Sequence, residues 1–248
     1  MKGRTIIVSG GARDIGRAVT LNLAAAGANV VMSYWGSSAA AEETLALARK
    51  SASQTEAVRA DATSPQDARR LVDAAVTKFG APIHGLVNVA GGLVARKPLA
   101  EMDADFLETV MRLNLTSTFL MTAAVAPHMK TGGAIVNFAS QAGRDGGGGG
   151  ASAYAAAKGA VMSFTRAMAK ELGPQGVRVN ALCAGLIGTS FHDTFTAAEI
   201  RQRVVAATPL RREGAASDVA DAVSYLLSER AAFITGACVD INGGSYFS

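Results

Sequence analysis

Cysteine is scarce in this 248-residue chain, which holds only Cys183 and Cys238, and histidine occurs three times. Two thiols without metal-ligand spacing exclude a disulfide-stapled scaffold and give no metal site, so packing in a reducing compartment is their expected role. Aromatic residues are also few, at 6% against 49% hydrophobic residues, the balance of an Ala/Gly/Val-rich α/β protein. No apolar run approaches the ~18 residues of a membrane span. The opening stretch Met1–Val8 sets basic residues before a short apolar run, and Ser9-Gly10-Gly11 ends that run before it can serve as a signal-peptide core. The net charge is only +4 and no Lys/Arg-rich run concentrates it, which excludes a nucleic-acid-binding arm. A soluble, cytoplasmic protein with neither nucleic-acid nor membrane partner is expected.

Short β-branched runs alternate with longer Ala-rich segments of helical period. Strands are expected near 4–9, 29–34, 54–59, 83–89, 133–139, 177–183 and 237–241. Helices are expected near 14–27, 38–52, 65–80, 103–130, 152–173 and 215–228, with a shorter one near 196–206. Runs such as Ile83–Val89 lack polar alternation, as strands buried on both faces of a parallel sheet do. The predicted fold is therefore one doubly wound, Rossmann-type α/β domain over 1–248, with about seven parallel strands and helices on both faces. The glycine run Gly146–Gly150 is too short for a domain linker and is expected to be a mobile loop before a helix.

In such a sheet ligands bind beyond the carboxyl ends of the strands. The unusual residues gather there: Ser9–Gly16, Asp61, Asn88–Gly92, Ser140 and Cys183–Thr189. Ser9-Gly10-Gly11-Ala12-Arg13-Asp14-Ile15-Gly16 follows the first strand and opens a helix, where glycines allow a pyrophosphate to approach the helix N-terminus. Asp14 stands where a glycine is usual. A carboxylate aimed at a diphosphate would oppose binding, so Asp14 is expected to turn towards first-turn N–H groups or a neighbouring side chain. The second strand ends in Tyr34 and Trp35 without the acid that binds a ribose 2′-hydroxyl, and Arg13 offers a cation to a 2′-phosphate. Both features favour NADP(H), with NAD(H) possible.

Tyr154 and Lys158 lie four apart at the start of a helical segment, hence on one face. A free tyrosine titrates near ~10, and an adjacent ammonium is expected to draw it down. Ser140, closing the fifth strand, adds a hydroxyl for a substrate oxygen. Asn114 is a polar residue inside the apolar stretch Met111–Leu115 and needs a buried partner.

Along almost its whole length the chain resembles the short-chain dehydrogenase/reductase family, in its ~250-residue subgroup. Residues 9–16 are similar to that family's Thr-Gly-x-x-x-Gly-x-Gly loop, with Ser9 for Thr and Asp14 for the middle Gly. Asn88-Val89-Ala90-Gly91 resembles Asn-Asn-Ala-Gly, and Ala184–Thr189 resembles the Pro-Gly segment at the nicotinamide, with Ala184 for Pro. Asn114, Ser140, Tyr154 and Lys158 match the catalytic tetrad residue for residue.

The resemblance implies cofactor contacts at Gly10, Arg13, Ile15, Gly16, Tyr34, Asp61, Asn88, Ala90, Gly91, Tyr154, Lys158, Ile187 and Thr189. It implies that Tyr154 passes a proton to a carbonyl oxygen held by Ser140, while Lys158 lowers the tyrosine pKa and binds the nicotinamide ribose. Asn114 would anchor a water leading from Lys158 to solvent. The expected activity is NADP(H)-dependent reduction of a ketone or 3-oxoacyl carbonyl, as in 3-oxoacyl-carrier-protein reductases. The alternatives are an NAD-dependent alcohol, sugar or steroid dehydrogenase of the same family, or a non-catalytic nucleotide sensor. Substrate walls are expected from Gly92–Pro98, Gly146–Ser152 and a lid over 190–208 in which Phe191 and Phe195 tend to cover core and His192 has no partner. A homotetramer, or at least a dimer, is implied, with Ala156, Ala160 and Phe164 at helical spacing for a symmetric contact.

Overall fold

The computed structural model describes residues 1–51 and 53–248. Seven parallel strands form a single sheet in the order β3-β2-β1-β4-β5-β6-β7. They are β1 (Thr5–Ser9), β2 (Asn29–Tyr34), β3 (Thr55–Arg59), β4 (Gly85–Asn88), β5 (Ala134–Phe138), β6 (Arg178–Ala184) and β7 (Cys238–Ile241). Chain order reverses between β1 and β4, the switch point at which a doubly wound sheet opens its crevice. Every expected strand is present, within two or three residues of its expected bounds at either end.

The strands read as apolar runs because helices cover both of their faces. Ile6 and Val8 point to one layer with Val30 and Met32, where they meet Val19 and Leu23 of α1 (Asp14–Ala25) and Val219 and Val223 of α10 (Ala216–Leu227). Ile7 points the other way with Val31, Leu86 and Ile135, against Leu71 of α3 (Pro65–Phe79) and Val125 of α5 (Ser117–Val125). Each fully buried Ile, Leu or Val contributes ~1.5–3 kcal/mol of apolar transfer. Local signals set the helix starts: Ser64 Oγ accepts from Asp67 N at 3.2 Å just before Pro65, and Asp218 Oδ2 accepts from Ala215 N at 2.8 Å. The α2 helix (Ser38–Ala48) stops earlier than expected, and the last position expected for it, Ala52, lies outside the described residues.

The long helix expected over 103–130 is broken. It runs as α4 (Ala104–Met111), a π turn at Arg112–Thr116 and α5, followed by a 3₁₀ turn at Ala126–His128 that contains Pro127. Proline has no N–H to continue the ladder, which accounts for the lower break. Within the upper break, Asn114 Nδ2 donates to Val110 O at 2.9 Å, and Ser117 and Thr118 hydroxyls donate to Leu113 O and Asn114 O. Side chains thus take over backbone acceptors that a regular helix would use. Two short helices escaped the periodicity, α6 (Ala142–Asp145) and α8 (Ser190–Phe195), while α7 (Ser152–Leu172) and α9 (Ala198–Ala207) fall where expected.

Candidate functional site

The carboxyl ends of β1, β4, β5 and β6 open into one cleft of about 870 Å³. That volume lies in the ~300–1,000 Å³ range of ligand pockets, and the lining combines backbone turns with few convergent polar groups. Of the residues expected at the site, Gly10, Arg13, Ile15, Gly16, Tyr34, Ala90, Gly91, Ser140, Tyr154, Lys158, Ile187 and Thr189 all line it. Asp61, Asn88 and Asn114 do not.

Two of the exceptions, Asn88 and Asn114, are buried. Asn88 is buried and donates to Thr122 Oγ1 and Asn137 Oδ1, and Asn137 donates in turn to Thr165 on α7. This chain of amides ties β4 to β5 and α7, leaving Asn88 Oδ1 as a buried acceptor with no partner among the described residues. Asp61 Oδ1 accepts from Thr63 N and Thr63 Oγ1, so its side chain shapes the turn after β3. Asn114, at 0% exposure, bonds reciprocally to the backbone of Gly92.

At one end of the cleft the glycine loop leads from β1 into α1. Gly10 adopts φ +71°, and a Cβ there would come within 3.1 Å of Ala90 N. A Cβ on Gly16 would overlap the Gly10 carbonyl, so both glycines keep two backbones in contact beneath the cleft floor. No side chain caps the first turn of α1, whose amides face the cleft end of the loop. That is the donor set an anionic diphosphate needs. Further along, the exposed Arg13 makes no ion pair among the described residues and shares the lining with Tyr34, Trp35 and Ser37. Trp35 is 63% exposed, and the Arg59 guanidinium lies 5.0 Å from its ring centroid. The residues present therefore fit a dinucleotide, with no carboxylate after β2 in the cleft lining among the described residues.

Asp14, the departure from the loop's usual glycine, has φ +49°. Its carboxylate turns away from the first-turn amides of its own helix and accepts from Ser190 N at 3.0 Å and Ser190 Oγ at 2.6 Å. It meets a neighbouring side chain, as expected, but one 176 residues away in sequence.

At the other end Tyr154 and Lys158 share one face of α7. Lys158 Nζ donates to Phe138 O at 2.7 Å and lies 5.6 Å from the Tyr154 ring centroid. Burial pulls the Lys158 ammonium down to about 8. Burial pushes the Tyr154 hydroxyl up to about 12, opposed only by a hydrogen bond with Ser140. Loss of water around the phenol thus outweighs any lowering by Lys158, whose ammonium donates to the Phe138 carbonyl. A hydroxyl with so high a pKa is a proton donor at neutral pH. Gly91 leaves room between two of these groups: a Cβ there would lie 2.7 Å from Asn114 Oδ1 and 3.2 Å from Lys158 Nζ.

Residues from all three expected substrate walls line the same cleft as Tyr154. Leu93, Val94 and Arg96 come from the loop after β4, Gly147, Gly148 and Ala151 from the glycine run, and Phe191, Phe195, Ile200 and Val204 from α8 and α9. The glycine run is tied rather than loose: Ala151 N bonds Gly148 O, Arg96 Nη1 bonds Gly149 O and Lys97 N bonds Gly150 O. Phe191 and Phe195 cover no core. The Phe191 ring lies 6.0 Å from Tyr154 and 5.2 Å from Phe195, so both face the cleft. His192 does find a partner, Thr196 Oγ1 at 3.0 Å from Nδ1, and burial with nearby Arg201 pulls its pKa down to about 4. Arg96 and Ser190 fall within the expected walls, but their bonds to Phe195 and Asp14 were not foreseen, since nothing local marks a side chain whose partner sits on a distant loop. No group of histidine, cysteine and carboxylate suited to a metal occurs among the described residues, and none of their helices is long and apolar enough to cross a membrane.

The family model described as enoyl-(acyl carrier protein) reductase matches residues 10–246. A 3-oxoacyl-[acyl-carrier-protein] reductase of Synechocystis is 36% identical over 247 residues, covering 98% of this chain and 97% of that one. Among solved structures, a short chain dehydrogenase from Burkholderia cenocepacia in complex with NADP superposes with TM-score 0.91 at 30% identity, covering 98% of each chain. An NADH-dependent reductase responsible for alginate metabolism superposes with TM-score 0.90 at 31% identity, covering 100% of this chain and 98% of that one.

Proposed function

The chain belongs to the short-chain dehydrogenase/reductase family and is an NAD(P)-dependent oxidoreductase, and from that premise we propose that it reduces a ketone or 3-oxoacyl carbonyl with NADP(H). The observation that carries this reading is the buried Tyr154 hydroxyl, kept protonated by burial in a cleft that it lines together with Ser140, Lys158 and residues of the three expected substrate walls.

A bound nicotinamide supplies the hydride; everything else falls to the protein. Tyr154 and Ser140 place two hydroxyls where a carbonyl oxygen gains negative charge, and their hydrogen bonds strengthen as that charge appears. Tyr154 gives up its proton to the nascent alkoxide. Lys158, whose ammonium stands between Phe138 O and the tyrosine ring, stabilises the phenolate left behind and offers a donor to ribose hydroxyls. Asn114 fixes Gly92 and borders the gap beside Lys158, where a water would carry the replacement proton. Residues 190–208 act as the substrate lid. Although the matching family model is described by enoyl reduction, paired hydroxyls at one point suit a C=O oxygen better than a C=C bond, and the Synechocystis relative is a 3-oxoacyl reductase.

For the cofactor, Arg13 without an ion pair and the absence of an acid after β2 support NADP(H). The NADH-dependent neighbour supports the second reading, an NAD-linked enzyme of the same family. Free thiols at Cys183 and Cys238 suit a cytoplasmic setting, and the exposed Phe119, edge-on to Phe164 at 6.3 Å, suits a homotetramer or dimer. The deciding experiment assays NADPH and NADH oxidation against simple ketones, acetoacetyl thioesters and crotonyl thioesters. Turnover of ketones and acetoacetyl thioesters with NADPH is the expected result. Oxidation only with the crotonyl thioester, or only with NADH, would overturn the corresponding part of the reading.

A further inference from the structure

The α8 helix carries Phe191 and Phe195 into the cleft, yet it has six residues and none of them is buried. A helix so short cannot hold itself in place, and no apolar core beneath it does so. Polar tethers do instead. Ser190, its first residue, donates from N and from Oγ to the two oxygens of Asp14. The carbonyl of Phe195, its last residue, accepts from Arg96 Nε at 3.0 Å. Between them Asp193 pairs with Arg201, which also grips Glu213.

Asp14 is the tether that comes from the nucleotide side. It occupies φ +49°, a left-handed conformation that glycine adopts freely and that aspartate tolerates better than most residues. A side chain kept in that conformation has work that glycine cannot do. The carboxylate makes no bond to the amides of its own helix, so helix capping is not that work. Both of its oxygens are spent on Ser190, one residue before the ring that stands against Tyr154.

We propose that Asp14 is a positioning residue for α8, clasping the segment that seats Phe191 beside Tyr154 to the loop that holds the dinucleotide. The two halves of the cleft then share a hinge point: displacement of the glycine loop displaces the aromatic wall over the reacting carbonyl. The proposal rests on the oxidoreductase reading for its consequence in turnover, but the clasp itself is a property of the chain alone.

The test uses the full-length protein and four variants: Asp14→Gly, which suits the backbone angle; Asp14→Asn, which keeps acceptor and angle; Ser190→Ala; and the Asp14→Gly/Ser190→Ala double. Hydrogen exchange is followed in peptides spanning residues 189–196, with peptides from β5 and α10 as controls for the global fold. Asp14→Gly should speed exchange at 190–196 by ~10-fold and leave the controls unchanged, the double variant should exchange no faster than Asp14→Gly, and Asn should restore most of the protection. For a ketone substrate, Asp14→Gly should raise KM by ~10-fold with kcat changed less than ~3-fold, and Asn should recover most of it. Exchange at 190–196 within twofold of the parent protein in Asp14→Gly would overturn the clasp. Faster exchange with an unchanged KM would overturn its positioning role. Failure of the parent protein to reduce any ketone would count against the oxidoreductase reading instead, and the exchange data would still decide the clasp.

Discussion

Asn114 and Gly92 hold each other by two reciprocal hydrogen bonds, Asn114 Nδ2 to Gly92 O at 2.8 Å and Gly92 N to Asn114 Oδ1 at 3.0 Å. The Asn114 amide is fully buried, whereas Gly92 is partly exposed. Asn114→Leu keeps the volume and strands both backbone groups of Gly92. A loss of ~1–3 kcal/mol in unfolding free energy is expected from two lost hydrogen bonds, each worth ~0.5–1.5 kcal/mol. Chemical denaturation measures it, and a change below ~0.5 kcal/mol, the scale of an ordinary surface substitution, would show that the pair is dispensable.

Tyr154→Phe preserves the ring that faces Phe191 and removes the transferable proton. Turnover should fall at least ~100-fold while cofactor still binds, the usual scale for losing an acid–base group. Steady-state rates alongside fluorescence titration of the nicotinamide separate the two effects. Near-normal turnover would refute the role given to Tyr154.

The pH profile follows from the buried lysine. Lys158 is held down to about 8 by burial, so its ammonium is present below that pH and is lost as the pH rises through it. Tyr154, pushed up to about 12, keeps its proton throughout that window. The value of kcat/KM for the cofactor, which reports the free enzyme, should therefore be level near neutral pH and decline with one ionisation near 8. A profile that stays flat to pH ~10 would remove Lys158 from cofactor capture.

In the proposed NADP(H) reading, Arg13 is the cation offered to the 2′-phosphate. Arg13→Ala should weaken NADPH binding by ~1–3 kcal/mol, the scale of hydrogen bonds to a charged group, and leave NADH nearly unchanged. Calorimetric titration with each nucleotide tests this. Equal losses for both would mean that Arg13 does not read the 2′-phosphate.

Phe119, edge-on to Phe164, is 50% exposed, an aromatic ring that a lone molecule leaves to water. Light scattering at micromolar concentration should find a tetramer or dimer, and Phe119→Asp should shift it towards smaller species. A monomer in the parent protein would show that this ring stays exposed.

Much of this could be read from the chain before its fold was known. The seven strands announced themselves because a parallel sheet buried on both faces demands unbroken β-branched runs, as at Ile6–Val8 and Val30–Met32. Gly10, Tyr154 and Lys158 were legible for a different reason, since their spacing on a turn or a helix face fixes their neighbours. What stayed hidden depends on contacts far apart in sequence. The Asp14–Ser190 clasp spans 176 positions and the Arg96–Phe195 bond spans 99, so neither leaves a local pattern. The π turn was hidden too, because periodicity averages over the one irregular turn in a long helical stretch. Nor does sequence weigh desolvation, which is why the Tyr154 hydroxyl moves up where a lysine neighbour alone suggested down.

The π turn at Arg112–Thr116 bears on how this protein can drift over generations. A π turn closes its hydrogen bond one residue later than an α turn, and one residue sweeps about 100° around a helix. Exchanging Leu113 or Leu115 for another apolar residue alters a side chain but leaves that count intact. Losing one residue between Met111 and Asn114 would turn Asn114 by that angle relative to α4 and away from Gly92. The leucines of this turn can therefore be exchanged for other apolar residues, but the number of residues leading up to Asn114 cannot change without breaking its hold on Gly92.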